Sequence, residues 1–142
     1  MIEIQIEDGG QAGTTDLLRR AVEATLRREE VEEGEISLTL LDDPAIQALN
    51  RDHLDHDRPT DVLAFALWAP GEPVLGDVYV GVEQAARQAR DEGVPLEEEL
   101  VRLAIHGTLH ILGHDHPEEA EARPGSPMYR LQEALVRAVF PG

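Results

Sequence analysis

The chain has 142 residues and not one cysteine, so it can form no disulfide and offer no thiolate to a metal; histidine and carboxylate are left as its zinc chemistry. Lysine is missing too. All twelve basic residues are arginine, which excludes a Schiff-base lysine and a P-loop lysine. No apolar run approaches the roughly 18 residues of a membrane span, so no membrane association is expected. Residues 1–7, Met-Ile-Glu-Ile-Gln-Ile-Glu, alternate apolar and polar and lack a basic region followed by a hydrophobic stretch. They read as a first strand and not a signal peptide, and a cytoplasmic location is the expectation. Positive charge is scarce: the formal net charge of -17 argues against broad electrostatic attraction to nucleic acid, so no DNA partner is expected and any RNA activity requires a local basic patch. The acidic runs Glu29-Glu30-Val31-Glu32-Glu33 and Glu97-Glu98-Glu99 read as solvated helix ends and turns. The length suits a single domain over 1–142, enough for one well-filled core and too short for two.

What the chain does have is histidine in one place. Four of its six histidines fall within His106-Gly107-Thr108-Leu109-His110-Ile111-Leu112-Gly113-His114-Asp115-His116. A lone histidine among apolar residues is ordinarily a hydrogen-bonded core residue, whereas this clustering at H-x3-H-x5-H spacing reads as a zinc site. On a helix, His106 and His110 sit one turn apart on one face. Gly113 accepts the left-handed conformation of a helix C-cap and lets the chain turn back, bringing His116 as third ligand. His114 competes for that role only if the helix runs on through Gly113. Three histidines leave a fourth tetrahedral position for water, and a bound water with a pKa of about 7 is a nucleophile at neutral pH. Metzincin proteases share the spacing but carry glutamate after the first histidine. Gly107 stands there instead, so the motif's general base is missing, and Glu118 or Glu119 would have to approach from elsewhere.

Elsewhere the pattern alternates strands and helices. After the first strand, Thr14-Thr15-Asp16 offers caps for a helix carrying Leu17, Leu18, Val22, Ala24 and Leu26 and ending in the turn at Gly34. A strand over 36–41 follows. Asp42-Asp43-Pro44 then gives an N-cap with proline at the first helical position of a helix over 44–52. A turn over 57–60 leads into a buried strand over 62–66, and the loop 70–73 into a strand over 75–81. A helix over 82–91 is stopped by Gly93. The helix from about Leu96, with Leu100, Leu103, Ala104 and Leu109, is the expected centre of the core and delivers the histidines. An acidic loop over 117–127 and a helix over 128–140, with Leu131, Leu135 and Val139 on one side, close the chain. The expectation is an α+β domain with one small four-stranded sheet packed by helices.

His106 to His116 matches H-G-x-L-H-x-x-G-x-D-H, which resembles the signature of the YbeY family of bacterial rRNA maturation factors. Leu49-Asn50, Asp57, Pro59-Thr60-Asp61-Val62-Leu63 and Phe65 resemble that family's L-N…D-x-P-T-D-V-L-S-F block, and Leu75-Gly76-Asp77 its L-G-D strand. The helix over 128–135 also matches, so the resemblance spans nearly the whole chain. It implies a mixed sheet with the metal in a cleft beside the central helix, and a zinc ion, one per chain, held by His106, His110 and His116. It also implies a zinc-dependent, single-strand-specific endoribonuclease, acting in three-prime-end maturation of small-subunit ribosomal RNA and in ribosome quality control, with single-stranded RNA, ribosomal RNA and the ribosome as partners.

Two departures stand out. Where the family has Tyr-Arg, this chain has His53-Leu54, and leucine cannot bind phosphate or stabilise transition-state charge. Arg58, in the Asp57-Arg58-Pro59 turn, is the nearest remaining cation in sequence and the candidate catalytic substitute; the bland alternative is a solvated turn residue. The loop after His116 carries extra residues, including Arg123-Pro124-Gly125. Asp115 is either a carboxylate orienting a ligand imidazole or a turn residue, and Asp77 and Thr60-Asp61 read as strand-edge and loop geometry. Two other functions compete: a ribosome-assembly factor whose metal only stabilises the fold, and a zinc protease, which Gly107 opposes.

Overall fold

The computed structural model describes residues 1–11, 13–115 and 125–141. Three strands, β1 (Ile2–Glu7), β2 (Gly34–Leu41) and β4 (Val74–Gly81), pair in parallel, and β3 (Val62–Ala66) joins the edge antiparallel to β4, giving the order β1-β2-β4-β3. This is the four-stranded mixed sheet of an α+β domain. Period-two alternation fixes which way it faces. Ile36, Leu38 and Leu40 of β2 and Val78 and Val80 of β4 are buried on one side, while Glu3, Gln5 and Glu7 of β1 stay exposed on the other.

Helices α1 (Thr15–Arg28) and α4 (Leu96–Ile111) cover the buried side, and α5 (Pro127–Val139) packs against both. α4 is central: it touches β3, β4, α1, α5 and α3 (Val82–Glu92). Its Leu100, Val101, Leu103, Ala104, Ile105 and Leu109 are all in the core. The approach to β4 is close enough to dictate glycine on both partners. A Cβ on Gly107 would lie 2.6 Å from Val78 Cγ1, and one on Gly76 would lie 2.6 Å from Ile111 Cδ1. That explains Gly76 in Leu75-Gly76-Asp77, and it gives Gly107 a packing role that spacing alone does not reveal.

Element ends follow local chemistry, with small differences from the sequence reading. Asp42 caps α2 (Asp43–Leu54) by accepting from Ala45 N at 3.0 Å, and the helix runs two residues beyond 52, ending at Asp55 with φ +60°. Leu54 is therefore helical and does not share a loop with Arg58. Thr14 is the N-cap of α1, yet its hydroxyl donates back to the Gln11 carbonyl at 2.7 Å instead of accepting from the helix. α5 begins at Pro127, because Ser126 accepts from Tyr129 N at 3.1 Å. No helix among the described residues is long and apolar enough to cross a membrane.

Candidate metal centre

α4 brings His106 and His110 to one face, with their Nε2 atoms 3.1 Å apart. The helix then stops where glycine permits. Gly113 has φ +97°, its N–H donates to His110 O at 3.0 Å, and His114 N donates to Leu109 O at 3.0 Å. These two bonds form a Schellman motif with Gly113 as the left-handed residue. Trp68 Nε1, from beyond β3, donates to the last helical carbonyl, Ile111 O, at 2.9 Å. Because the helix ends, His114 leaves the ligand face, and its imidazole meets Glu29 at the C-cap of α1. Asp115 stands 3.9 Å from His110 Nδ1 with its side chain 93% exposed, too far for a hydrogen bond. His116, Glu118 and Glu119 lie outside the described residues, as does Arg123. Among the described residues no three histidine, aspartate or glutamate side chains converge as a metal group.

The two histidines line a cleft of about 690 Å³, with α4 as its floor, β3 on one side and α5 on the other. Behind His106 runs a chain of side chains that spacing did not reveal. His106 Nδ1 is 2.7 Å from Gln132 Oε1, and Gln132 Nε2 donates to Glu133 Oε2 at 3.1 Å. Arg102 grips Glu133 through two nitrogens, at 2.9 and 3.0 Å, and also donates to Glu99 at 2.9 Å and Glu98 at 3.1 Å. Gln88 of α3 donates to the other oxygen of Glu99 at 2.8 Å.

Glu99 is buried, so reading residues 97–99 as solvated is corrected for Glu98 and Glu99: their carboxylates face Arg102, one turn along the same helix. Glu29, likewise, is engaged by His114. Burial is the largest single influence on the Glu133 carboxyl and pushes it up, but the hydrogen bonds from Arg102 and Gln132 and the charges of Arg102 and Arg137 together outweigh it and hold the group below the usual carboxylate range. The bond to Glu133, opposed by burial and aided by Glu99, pushes Arg102 still higher than an ordinary guanidinium. The signal that could have found Gln132 is a polar residue at i+4 from Met128, on the buried stripe that continues through Leu135 and Val136.

Among the described residues Arg102 is the arginine that lines the cleft, and it is held by three carboxylates. Leu54 also lines it, 48% exposed. Arg58 does not: it is exposed, its backbone N–H donates to His56 O and its carbonyl accepts from Asn50 Nδ2, and its guanidinium makes no ion pair among the described residues. Asp61 lines the cleft, whereas Asp77 lies in β4 away from it.

Residues 3–139 match the sequence pattern of the family described as Endoribonuclease YbeY. The chain belongs to the YbeY family. It is 44% identical to the endoribonuclease YbeY of Desulfitobacterium hafniense over 148 residues, covering 96% of this chain and 92% of that one. The endoribonuclease YbeY of Syntrophotalea carbinolica is 39% identical over 149 residues, covering 96% and 99%. Among solved structures, a protein from Thermotoga maritima determined in solution shares the fold with a TM-score of 0.69 and 30% identity, over 99% of this chain and 90% of that one. This member of the family has two histidines one helical turn apart with Gly107 between them, and Leu54 in the cleft.

Proposed function

We propose that this chain is a zinc-dependent endoribonuclease of single-stranded RNA, with His106, His110 and His116 as the ligands and the small-subunit ribosomal RNA as the substrate in the cytoplasm. The observation that carries the metal assignment is the 3.1 Å between the two Nε2 atoms. Zinc–nitrogen bonds of about 2.0–2.1 Å in a tetrahedron put neighbouring ligand atoms about 3.3 Å apart, so the pair already fits one edge of such a site. Zinc bound there would polarise the phosphodiester as a Lewis acid.

The chain's own residues supply position and shape. Gln132 holds the His106 ring, and Leu54, Val62, Leu103 and Met128 contribute apolar surface to the cleft. Family membership supports RNA cleavage, since the curated relatives carry the name endoribonuclease. The protease reading loses further ground, because the motif glutamate has no room at position 107, where even a Cβ meets Val78.

One observation favours a second reading, an RNA- or ribosome-binding assembly factor with little catalysis: the only arginine found lining the cleft among the described residues is already paired, on a chain of net charge -17. The deciding experiment is elemental analysis of the purified protein together with cleavage assays on single-stranded RNA, duplex RNA and casein, with and without chelator. The expected result is one zinc per chain and chelator-sensitive cleavage of single-stranded RNA alone. Metal with RNA binding but no cleavage would establish the assembly factor, and cleavage of casein would restore the protease.

A further inference from the structure

We infer that Gln132 is a positioning residue for the metal centre: its amide, oriented by the Arg102–Glu133 pair, holds His106 in the tautomer whose Nε2 presents a lone pair to the cleft. This rests on the proposed metal centre, though the tautomer can be tested without metal. A glutamine amide can lie either way round, and its neighbours decide which. On one side stands Glu133, an acceptor-only carboxylate held by Arg102 at 2.9 and 3.0 Å, so the NH2 group must face it, at 3.1 Å. The carbonyl oxygen then faces His106 Nδ1 at 2.7 Å and can only accept. The neutral His106 ring must therefore carry its proton on Nδ1, which leaves a lone pair on Nε2, 3.1 Å from Nε2 of His110.

Reversing the amide would set oxygen against carboxylate and force the histidine proton onto Nε2, where it blocks ligation. The amide is not free to turn. Gln132 is only 6% exposed, and a buried amide left without partners is costly, so both ends must be satisfied at once. Glu99, tied to Arg102 at 2.9 Å and to Gln88 at 2.8 Å, anchors the same network to α3, so three helices hold one imidazole.

The test uses Gln132→Met, which keeps length and loses the hydrogen bonds, and the exchange Gln132→Glu with Glu133→Gln. In the exchanged pair a carboxylate accepts from both Nδ1 and the new amide, whose oxygen can still accept from Arg102. Zinc affinity is measured by chelator competition, and the His106 ring nitrogens of the metal-free protein are read by 15N NMR at about pH 8, above the ordinary imidazole range. The wild type is expected to show Nδ1 protonated. Gln132→Met should mix the tautomers and weaken zinc binding about 10–100-fold, as loss of an orienting partner does, and the exchange should restore the tautomer and most of the affinity.

A wild-type His106 protonated on Nε2 would overturn the inference without any variant. So would a Gln132→Met protein that keeps both the Nδ1-protonated ring and wild-type zinc affinity. If the wild type takes up no zinc while its His106 is protonated on Nδ1, the metal reading fails and the orienting role of Gln132 stands.

Discussion

The two sides of α4 solve opposite problems. Toward the sheet, Gly107 sits so near Val78, and Ile111 so near Gly76, that neither glycine leaves room for a side chain, and contact is apolar and close. Toward the cleft, one residue earlier, His106 begins a run of polar contacts through Gln132 and Glu133 to Arg102. The first side lets α4 move little against the sheet, because packed interiors transmit displacement instead of absorbing it. The second fixes ring orientation on that immobile base. A constellation of ligands needs both, since orientation is worth nothing on a helix that shifts. The comparison teaches that Gly107, which a motif reading treats as a missing catalytic glutamate, is the condition for placing its histidine neighbour.

Breaking the cleft side at its proposed ligands should have the largest effect on function with little effect on the fold. His106→Ala or His110→Ala is expected to lower metal content from about one ion per chain to near zero and RNA cleavage to background. Elemental analysis and a single-stranded RNA assay read both, and full metal content in His110→Ala would remove it from the ligand set. Breaking the sheet side should do the reverse, acting first on stability. In Gly107→Ala the added methyl meets Val78 Cγ1 at 2.6 Å, and overpacking of this kind costs about 1–3 kcal/mol. Better helix propensity returns at most about 1 kcal/mol of that. Urea unfolding should give a net loss; a variant as stable as wild type would mean that α4 can retreat from β4 at no cost.

What could be read from the sequence divides along the same line. Gly113 was legible because a left-handed C-cap is a local demand, and its φ of +97° meets it. The facing of His106 and His110 was legible because i and i+4 share a helix face. The Gln132 contact was not, because its partner lies 26 residues away on another helix, and neither was the meeting of His114 with Glu29, 85 residues apart. Glu99 was misread with its run, since a charge repeated three times looks like a solvated face until an arginine one turn on folds over two of the three. Gly107's closeness to Val78 depends on how α4 crosses β4, which no spacing within the helix records. The length of α2 was underestimated because Asp55 takes a left-handed C-cap without glycine.

A milder disturbance of the cleft side is protonation of Glu133. Its folded carboxyl is held below the usual range, so the stability it contributes is fully present above the ordinary glutamate value and is lost as pH falls through the depressed one. Glu133→Gln keeps the size but loses the charge, and should be less stable than wild type at neutral pH. The difference should shrink as pH falls through the depressed range of the wild-type carboxyl, because that carboxyl then loses its charge as well. Parallel stability curves across that interval would mean that Arg102 gains nothing from this carboxylate.

The smallest and sharpest test concerns a cation not already engaged by carboxylates, which the cleft lacks among the described residues. Negative charge grows on the phosphate during cleavage, and one donor aimed at it is typically worth about 10²–10³ in rate. Arg102 lines the cleft, but three carboxylates already engage it. Leu54, at the end of α2, lines the cleft with 48% of its surface exposed, so a longer side chain there has both access and room. Arg58 is exposed and outside the lining, three residues before Asp61, which is inside it. Leu54→Arg is therefore expected to raise turnover on single-stranded RNA by about tenfold, short of the full value because its geometry is not preorganised. Arg58→Ala should lower turnover by less than about tenfold, the effect of a charge that reaches the substrate from the rim. Both variants are assayed at matched salt, since screening alone changes RNA affinity. Equal turnover in Arg58→Ala and wild type would remove Arg58 from the mechanism. A Leu54→Arg protein no faster than wild type would show that the cleft does not hold the scissile phosphate beside α2.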